Sequence, residues 1–171
     1  ESRFIWVAAS THQHEEQLML QAHEALRQQR SDALLILVPR HADRFNEVAQ
    51  LLQQQQTHFA QRSLQQAIQP NTSVYYADTI GELMLWFAVA DVAFIGGSLV
   101  NFGGHNILEP AALSKPVLSG CYHQNLQALY DGFIQQNAVW ISDTPQQLAQ
   151  QLIQLSQSET ERQQLGQAGY Q

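Results

Sequence analysis

Short apolar runs separated by amphipathic stretches recur along the whole chain. "RFIWVAAS" and "ALLILVP" are apolar runs bounded by turn residues, and between them "HEEQLMLQAHEALRQQ" places its leucine and alanine residues on one face. Short apolar runs of this kind predict buried strands, and apolar residues three to four positions apart predict a helix. The chain is therefore predicted to begin as strand, helix, strand.

The same alternation continues to the end of the chain. Four further apolar runs, "SVYYA", "VAFIG", "PVLSG" and "AVWIS", bring the predicted strands to six. Further helices are predicted at Asp43 to Gln55, Ile80 to Ala90, Ile107 to Leu113, Gln124 to Gln136, Pro145 to Leu155 and Glu159 to Ala168. Strands that alternate with helices predict an α/β fold with a Rossmann-like, doubly wound parallel sheet.

Two segments call for an interpretation of their own. "ELMLWFAVA" is apolar on all sides, which predicts a deeply buried helix. The glutamine-rich stretch "LLQQQQTHFAQRSLQQAIQ" carries apolar residues at helical spacing, which favours solvated helix faces over a low-complexity segment.

Composition limits the architecture and the compartment. A chain of 171 residues with 44% hydrophobic residues can build one core, so we expect a single domain over residues 1–171. The single cysteine, Cys121, excludes an internal disulfide and suits a reducing compartment such as the cytoplasm. No apolar run approaches the roughly 20 residues that span a bilayer, and the stretch "ESRFIWVAAS" lacks the basic start and cleavage site of a signal peptide, so we expect a soluble domain. The abrupt start in a strand suggests a piece of a larger protein.

Charge narrows the class of ligand. Eight Lys and Arg residues against 15 Asp and Glu residues give a net charge of −7, which argues against binding to nucleic acid or anionic lipid. An anionic ligand must therefore be held by a few local groups. Arg40 ends an apolar strand and can pair with a phosphate in fork geometry, although a salt bridge to a nearby carboxylate is the alternative.

The glycine-rich segment "FIGGSLVNFGGHNILEP" lies where such a ligand would bind. Ligands of doubly wound sheets lie beyond the carboxyl ends of the strands. Asn106 can cap a helix whose third position is Glu109, and amides freed by the glycine loops could bind a phosphate; a simple capping box with turn glycines is the alternative. The dinucleotide fingerprint GxGxxG and the P-loop GxxxxGK[ST] are both absent from the sequence.

Other polar residues near the predicted strand ends have less specific roles. His12 and His14 are two positions apart, but no third ligand is spaced to join them, so no metal is expected. His12 and His105 are interpreted either as neutral hydrogen-bonding groups near a sugar or phosphate, or as loop-packing residues. Thr11 and Ser98 could donate hydroxyls to an anion or cap the following helices.

Several of these segments together resemble one enzyme family. "ASTHQHEE", "LLILVPRHADRF" and "DTIGELMLWFAVADVAFIGGSLVNFGGHNILEPAALSKPVL" resemble, in order and over nearly the whole chain, the Kdo transferases. These enzymes attach 3-deoxy-D-manno-octulosonic acid (Kdo) to a lipid A precursor in lipopolysaccharide biosynthesis. The resemblance implies the C-terminal lobe of a two-lobed GT-B glycosyltransferase, which binds the donor CMP-Kdo.

The resemblance also implies the site. CMP contacts carry over to Pro39, Arg40, Ile80, Gly81, Glu82, Asn106, Ile107, Leu108 and Glu109. Donor-site neighbours would be Ser10, Thr11, His12, Gly97, Ser98 and His105. One departure is His14, where family members commonly have glycine.

The resemblance also implies that several functional parts of the enzyme lie outside these residues. The catalytic carboxylate, the lipid A precursor site and the membrane-associating surface of the family belong to an N-terminal lobe absent from these 171 residues. The isolated chain is therefore expected to be inactive, to need no cofactor, and to come from a parent at the cytoplasmic face of the bacterial inner membrane. Two alternatives are a sugar-nucleotide epimerase-like half that binds a uridine nucleotide and a non-catalytic nucleotide-binding module.

Overall fold

The computed structural model describes residues 3–171, which form one parallel sheet with helices on both faces. The strands are β1 (Ile5–Thr11), β2 (Leu34–Pro39), β3 (Phe59–Gln61), β4 (Val74–Tyr76), β5 (Val92–Ile95), β6 (Val117–Gly120) and β7 (Trp140–Ser142), in the order β3-β4-β2-β1-β5-β6-β7. The helices are α1 (Glu15–Gln29), α2 (Phe45–Gln54), α3 (Leu83–Val89), α4 (Leu108–Ala112), α5 (Gln127–Gln135), α6 (Pro145–Gln157) and α7 (Glu159–Tyr170). The predicted α/β fold with a parallel sheet is confirmed.

The central strands carry continuous apolar runs because both faces of the sheet are covered. Along β1, Trp6 and Ala8 belong to a core shared with α1, α2 and α6. Val7 and Ala9 face the opposite side, in a core shared with α3, α4 and α5. β1 lies between β2 and β5, and the order reverses there, so the loops that follow these three strands meet at one edge of the sheet.

The glutamine-rich stretch differs from its prediction. Helix α2 ends at Gln54, and residues 59–61 form β3, an edge strand paired with β4 from Phe59 opposite Val74 to Gln61 opposite Tyr76. A 3-10 turn follows at Arg62–Leu64. The helical interpretation was wrong beyond α2 because a three-residue edge strand is too short to show an alternating pattern, and pairing with β4 supplies its stability.

The prediction that "ELMLWFAVA" is deeply buried was also wrong in part. Trp86 and Phe87 of α3 are buried, but Met84, Leu85 and Val89 are 44%, 48% and 49% exposed. A helix of two turns that lies on one face of a sheet buries only the side turned toward that sheet. The outer side of α3 therefore presents apolar side chains at the surface.

Two residues, one near the end of β1 and one in the turn before α1, have left-handed backbone conformations. Ser10 has a φ of 60°, and the register between β1 and β2 shifts at this point. His14, which directly precedes α1, has a φ of 71° and a ψ of −13°. This geometry accounts for glycine at the corresponding position in the resembling family, because glycine adopts it without steric cost.

Replacing His14 with glycine is expected to raise the free energy of unfolding by about 0.5–1 kcal/mol, since the strain of a left-handed non-glycine residue is relieved. The His14 side chain is exposed and contributes little packing. Urea denaturation would measure the change, with His14→Ala as the matched control because alanine truncates the side chain but keeps Cβ. Equal stabilities of the glycine and alanine variants would contradict the explanation.

Among residues 3–171, no helix is both long enough and apolar enough to cross a membrane.

Candidate functional site

A cleft of about 430 Å³ opens at the carboxyl ends of β1, β2 and β5. Eight of the residues predicted from the sequence line it: Ser10, Pro39, Arg40, Ile80, Gly81, His105, Asn106 and Glu109. They share this wall with residues that the sequence did not single out as ligand contacts: Val38, His41, Ala42, Phe45, Thr79, Leu83, Phe87 and Ile95. Two loops that are distant in sequence, before α3 and before α4, therefore face the end of β2 across one cavity.

Arg40 is a basic residue of the cleft wall whose side chain is bound by no other residue in 3–171. Its backbone N–H donates to the Thr11 carbonyl at 2.9 Å, which anchors the main chain where β2 ends. Its side chain is exposed, and within residues 3–171 it has no ion pair or hydrogen bond. The alternative of a structural salt bridge is thus absent from the described chain, and the guanidinium is available to an anion in the cleft.

The start of α4 shows how the glycine-rich segment is used. Asn106 Oδ1 accepts a hydrogen bond from the Leu108 N–H at 2.9 Å, and the helix begins at Leu108. Pro110 is thus the third helical residue, where its missing N–H removes no intrahelical bond. Glu109 is half-buried on the cleft wall, and its carboxylate has no hydrogen-bond partner in residues 3–171. The N-cap residue is Ile107, which has no side-chain cap, so the predicted capping box of Asn106 and Glu109 does not form.

Two further residues of this predicted set lie away from the cleft. The Ile107 side chain is buried in the core that also contains Ile95 of β5 and Val117 of β6. The Leu108 side chain is half-exposed to solvent. The cleft wall here is formed by Asn106, which precedes α4, and Glu109, which is in its first turn.

The loop after β5 is organised around a buried carboxylate that the sequence reasoning missed. Glu15 is fully buried, and its two oxygens accept hydrogen bonds from four backbone N–H groups. The donors are His12 at 3.1 Å, Gly97 at 2.8 Å, Ser98 at 3.2 Å and Leu99 at 3.0 Å. Burial raises the pKa of the Glu15 carboxyl, and the four amides oppose this by stabilising the charged form.

This arrangement corrects the expectation that the amides of the glycine loops bind a phosphate. The Gly97 and Ser98 amides are taken by Glu15, and the Gly104 amide donates to the Gly97 carbonyl at 2.9 Å. The Ser98 hydroxyl donates to the Ile95 carbonyl at 2.5 Å, so its hydrogen is also used within the protein. Sequence offered no signal for this, since a glutamate at a helix start normally faces solvent.

The two histidines assigned to the site lie together. His105 lines the cleft, and His12 is buried behind it, with their Nε2 atoms 2.7 Å apart. Burial lowers the pKa of His12, and burial together with His12 lowers the pKa of His105 to about 4. Thr11, beside them, is buried and its hydroxyl has no partner within residues 3–171.

Comparison with known proteins decides the family. No family model matches the chain. The 3-deoxy-D-manno-octulosonic acid transferase of Haemophilus influenzae is 41% identical over 171 residues, which are 99% of this chain and 40% of that relative. The crystal structure of the C-terminal CMP-Kdo binding domain of WaaA from Acinetobacter baumannii matches with a TM-score of 0.94 and 38% identity, over 99% of this chain and 89% of that domain. This chain belongs to the Kdo transferase family.

The match also places the chain within the Kdo transferase architecture. It spans less than half the length of the Haemophilus relative, and it corresponds to the C-terminal lobe of the GT-B fold. A more distant structure, the C-terminal domain of a group 1 glycosyl transferase (LpcC) from Francisella tularensis, shares this fold with a TM-score of 0.66 at 17% identity.

Glu82 is a third residue carried over from the Kdo transferase motifs whose side chain lies outside the cleft. The Glu82 carboxylate pairs with Arg62 at 3.2 and 2.9 Å and accepts from the Thr79 hydroxyl at 2.5 Å. Hydrogen bonds from Arg62 and Thr79 lower the pKa of Glu82 to about 2. Glu82 therefore holds the loop that carries Ile80 and Gly81, which do line the cleft.

The described residues of this Kdo transferase domain contain no group of three or more His, Cys, Asp or Glu side chains arranged to hold a metal ion.

Proposed function

We propose that this chain is the donor-binding domain of a Kdo transferase and that the cleft binds CMP-Kdo. The observation that carries the proposal is the match, at 38% identity and over 89% of its length, to a CMP-Kdo binding domain. We further propose that residues 1–171 form one such domain and that the acceptor lobe lies elsewhere in the parent chain, since the Haemophilus relative is more than twice as long.

The reaction proposed for the parent enzyme is transfer of Kdo from CMP-Kdo to a lipid A precursor in lipopolysaccharide biosynthesis, at the cytoplasmic face of the inner membrane. A hydroxyl of the acceptor attacks the anomeric carbon of Kdo, and the bond to the phosphate oxygen breaks with its electron pair remaining on CMP. A carboxylate of the other lobe takes the hydroxyl proton. The donor is a substrate, and the proposal invokes no cofactor.

The charges of the cleft suit the phosphate of this donor. CMP-Kdo carries a phosphodiester and a carboxylate, and a phosphate pairs best with a fork of N–H donors. Arg40 supplies such a fork on the cleft wall and is held by no other partner in residues 3–171. We propose that it binds the phosphate and limits the charge that builds up as CMP leaves.

The Glu109 carboxylate suits the ribose. An ionised carboxylate only accepts hydrogen bonds, and the two neighbouring ribose hydroxyls are donors. The structure favours this role over the capping alternative, because Asn106 is not the N-cap residue of α4 and Glu109 is without a partner in residues 3–171. The exposed start of α4 then presents one carboxylate to the sugar.

Calorimetric titration with CMP, UMP and 2'-deoxy-CMP tests the proposal. We expect weak binding of CMP, because the facing lobe is missing, and weaker binding of UMP. Glu109→Ala is expected to weaken CMP about tenfold and 2'-deoxy-CMP less, since one ribose partner is already lost in the deoxy ligand.

Several outcomes would count against these assignments. Equal binding of CMP and UMP, a preference for uridine nucleotides, or no binding at millimolar concentration would remove the cytidine site and favour an epimerase-like half or a module with another ligand. A Glu109→Ala variant that weakens both cytidine ligands equally and melts at a lower temperature would return Glu109 to a structural role.

A further inference from the structure

His12 and His105 form an in-plane hydrogen bond between two imidazole rings. Their Nε2 atoms are 2.7 Å apart, their ring planes differ by 5°, and their ring centroids are 5.0 Å apart. That centroid separation equals the bond length plus the distance from each ring centre to its nitrogen, so the two Nε2 atoms point at each other. One Nε2 carries the shared hydrogen and the other accepts it.

The surroundings hold this pair in place. The Phe102 ring stacks on His12 with centroids 4.2 Å apart, and Tyr130 donates to the His105 carbonyl at 2.7 Å. Gly97 leaves the space that the rings occupy, because a Cβ atom there would lie 2.9 Å from His105 and 3.2 Å from His12. These contacts hold the two rings in their hydrogen-bonded orientation. Of the two histidines, only His105 lines the cleft.

Charged groups from several elements lie around the pair, and one of them, the Glu109 carboxylate of α4, lines the same cleft as His105. Arg40 and His41 follow β2, and the His41 ring meets His12 edge-on with centroids 5.4 Å apart. Arg44, from the 3-10 turn before α2, is paired with Glu16 of α1 at 2.8 Å, so their charges offset each other. Glu15 of α1 is occupied by four backbone amides.

We propose that His105 is an anion-contacting residue of the cleft, that His12 is the positioning residue behind it, and that the pair takes up one proton when a nucleotide phosphate binds. The inference rests on the proposed function, because the phosphate is that of the donor nucleotide. The free ring nitrogen, His105 Nδ1, has no partner within residues 3–171. In the neutral pair, an anion that accepts from His105 Nδ1–H leaves His105 Nε2 as the acceptor, so His12 donates. In the protonated pair, the added proton lies either on His12 Nδ1, with His12 still donating, or on His105, which then donates from both nitrogens while His12 accepts.

The sign of the pH dependence follows from this arrangement. Burial keeps both rings neutral in the free protein at pH 7, with the pKa of His105 lowered to about 4. A bound anion favours the charged pair and raises its pKa. Affinity is therefore highest at low pH and falls as the pH rises through the pKa that the pair has in the complex.

The test uses the methyl ester of CMP, a phosphodiester whose charge is constant between pH 5.5 and 8. We expect the full chain to bind it about tenfold more tightly at pH 5.5 than at pH 8, the gain of one charge-assisted hydrogen bond. His105→Gln is expected to remove most of this slope. His58→Gln, which changes an exposed histidine away from the cleft, is the control and is expected to keep it.

Two variants of His12 separate positioning from packing. His12→Gln can still hydrogen-bond His105 Nε2, and it is expected to retain affinity within about threefold of the wild type. His12→Phe preserves the stacking on Phe102 but not the hydrogen bond, and it is expected to lose about tenfold in affinity at pH 5.5. A merely structural role would give the reverse order, with phenylalanine tolerated and glutamine not.

The imidazole proton resonances complete the test. The His105 resonance is expected to titrate near pH 4 in the free protein and at higher pH in the complex. A slope that persists in His105→Gln, or that disappears only in His41→Gln, would overturn the pair as the proton-binding group while leaving the donor site standing. Failure of both CMP and its methyl ester to bind at any pH would end the proposed function and this inference together.

Discussion

Replacing Glu15 with alanine is expected to lower the free energy of unfolding by about 3–5 kcal/mol, a large share of the stability of a domain this size. The carboxylate is fully buried, and its loss removes the acceptor of four backbone N–H groups in a region closed to bulk water. Each unpaired buried N–H costs about 1–3 kcal/mol, partly recovered by relaxation of the loop. Urea denaturation of the variant would measure the loss.

Matched substitutions show whether the carboxylate itself is responsible. Glu15→Gln keeps the size of the side chain but turns one acceptor oxygen into a donor that faces N–H groups, so we expect an intermediate loss. Glu24→Ala removes an exposed glutamate from the same helix and is expected to change stability by less than about 0.5 kcal/mol. If Glu15→Ala were no more damaging than Glu24→Ala, the amide cluster would not be a principal support of the loop.

Loss of the hydrogen bonds to Glu15 is also expected to affect the cleft. Glu15 links the turn after β1 to the loop after β5, and those two segments carry His12 and Gly97. When the link is broken, the space that Gly97 leaves for the histidine pair is no longer defined. We therefore expect Glu15→Gln, where it remains folded, to weaken nucleotide binding although Glu15 does not line the cleft.

Replacing Arg40 with alanine is expected to weaken CMP about tenfold to a hundredfold while changing cytidine by less than about twofold, the value of one or two charge-assisted hydrogen bonds to phosphate. The guanidinium has no other partner in residues 3–171, so its removal should leave the fold intact. Calorimetric titration of both ligands, together with the melting temperature, measures the difference.

Arg40→Lys is the matched variant for this prediction. Lysine keeps the charge but replaces the planar fork with a single ammonium group, so we expect an affinity between those of the wild type and the alanine variant. Loss of CMP and cytidine by the same factor would show instead that Arg40 supports the base or the loop. A melting temperature lowered by several degrees would assign it a structural role.

Much of the fold could be predicted from local pattern. The six apolar runs are strands β1, β2, β4, β5, β6 and β7, and each predicted helix overlaps a helix of the structure, with α6 and α7 ending two residues beyond their predicted ends. These elements are readable because both faces of the central strands are buried, so their residues are nearly all apolar. The edge strand β3 was missed because its stability comes from β4 rather than from its own three residues.

The candidate site could be predicted as far as it depends on strand ends. Pro39 ends β2 and Arg40 follows it, while Asn106 precedes α4 and Glu109 lies in its first turn, so topology alone brings them to one edge of the sheet. The sequence did not distinguish residues that line the cleft from those that support it. Glu82 belongs to the second kind, since its carboxylate is bound by Arg62, 20 positions before it in the chain.

The sequence by itself determined which segments form strands and helices, apart from β3, and hence that the loops after the strands lie at one edge of a parallel sheet, because apolar periodicity is a local property of the chain. Only the tertiary structure decided what those loops do with their backbone amides. The bonds from the Gly97, Ser98 and Leu99 amides to Glu15 join residues 82 to 84 positions apart. A contact of this kind exists only after β1 and β5 have paired, because that pairing brings the start of α1 beside the glycine loop.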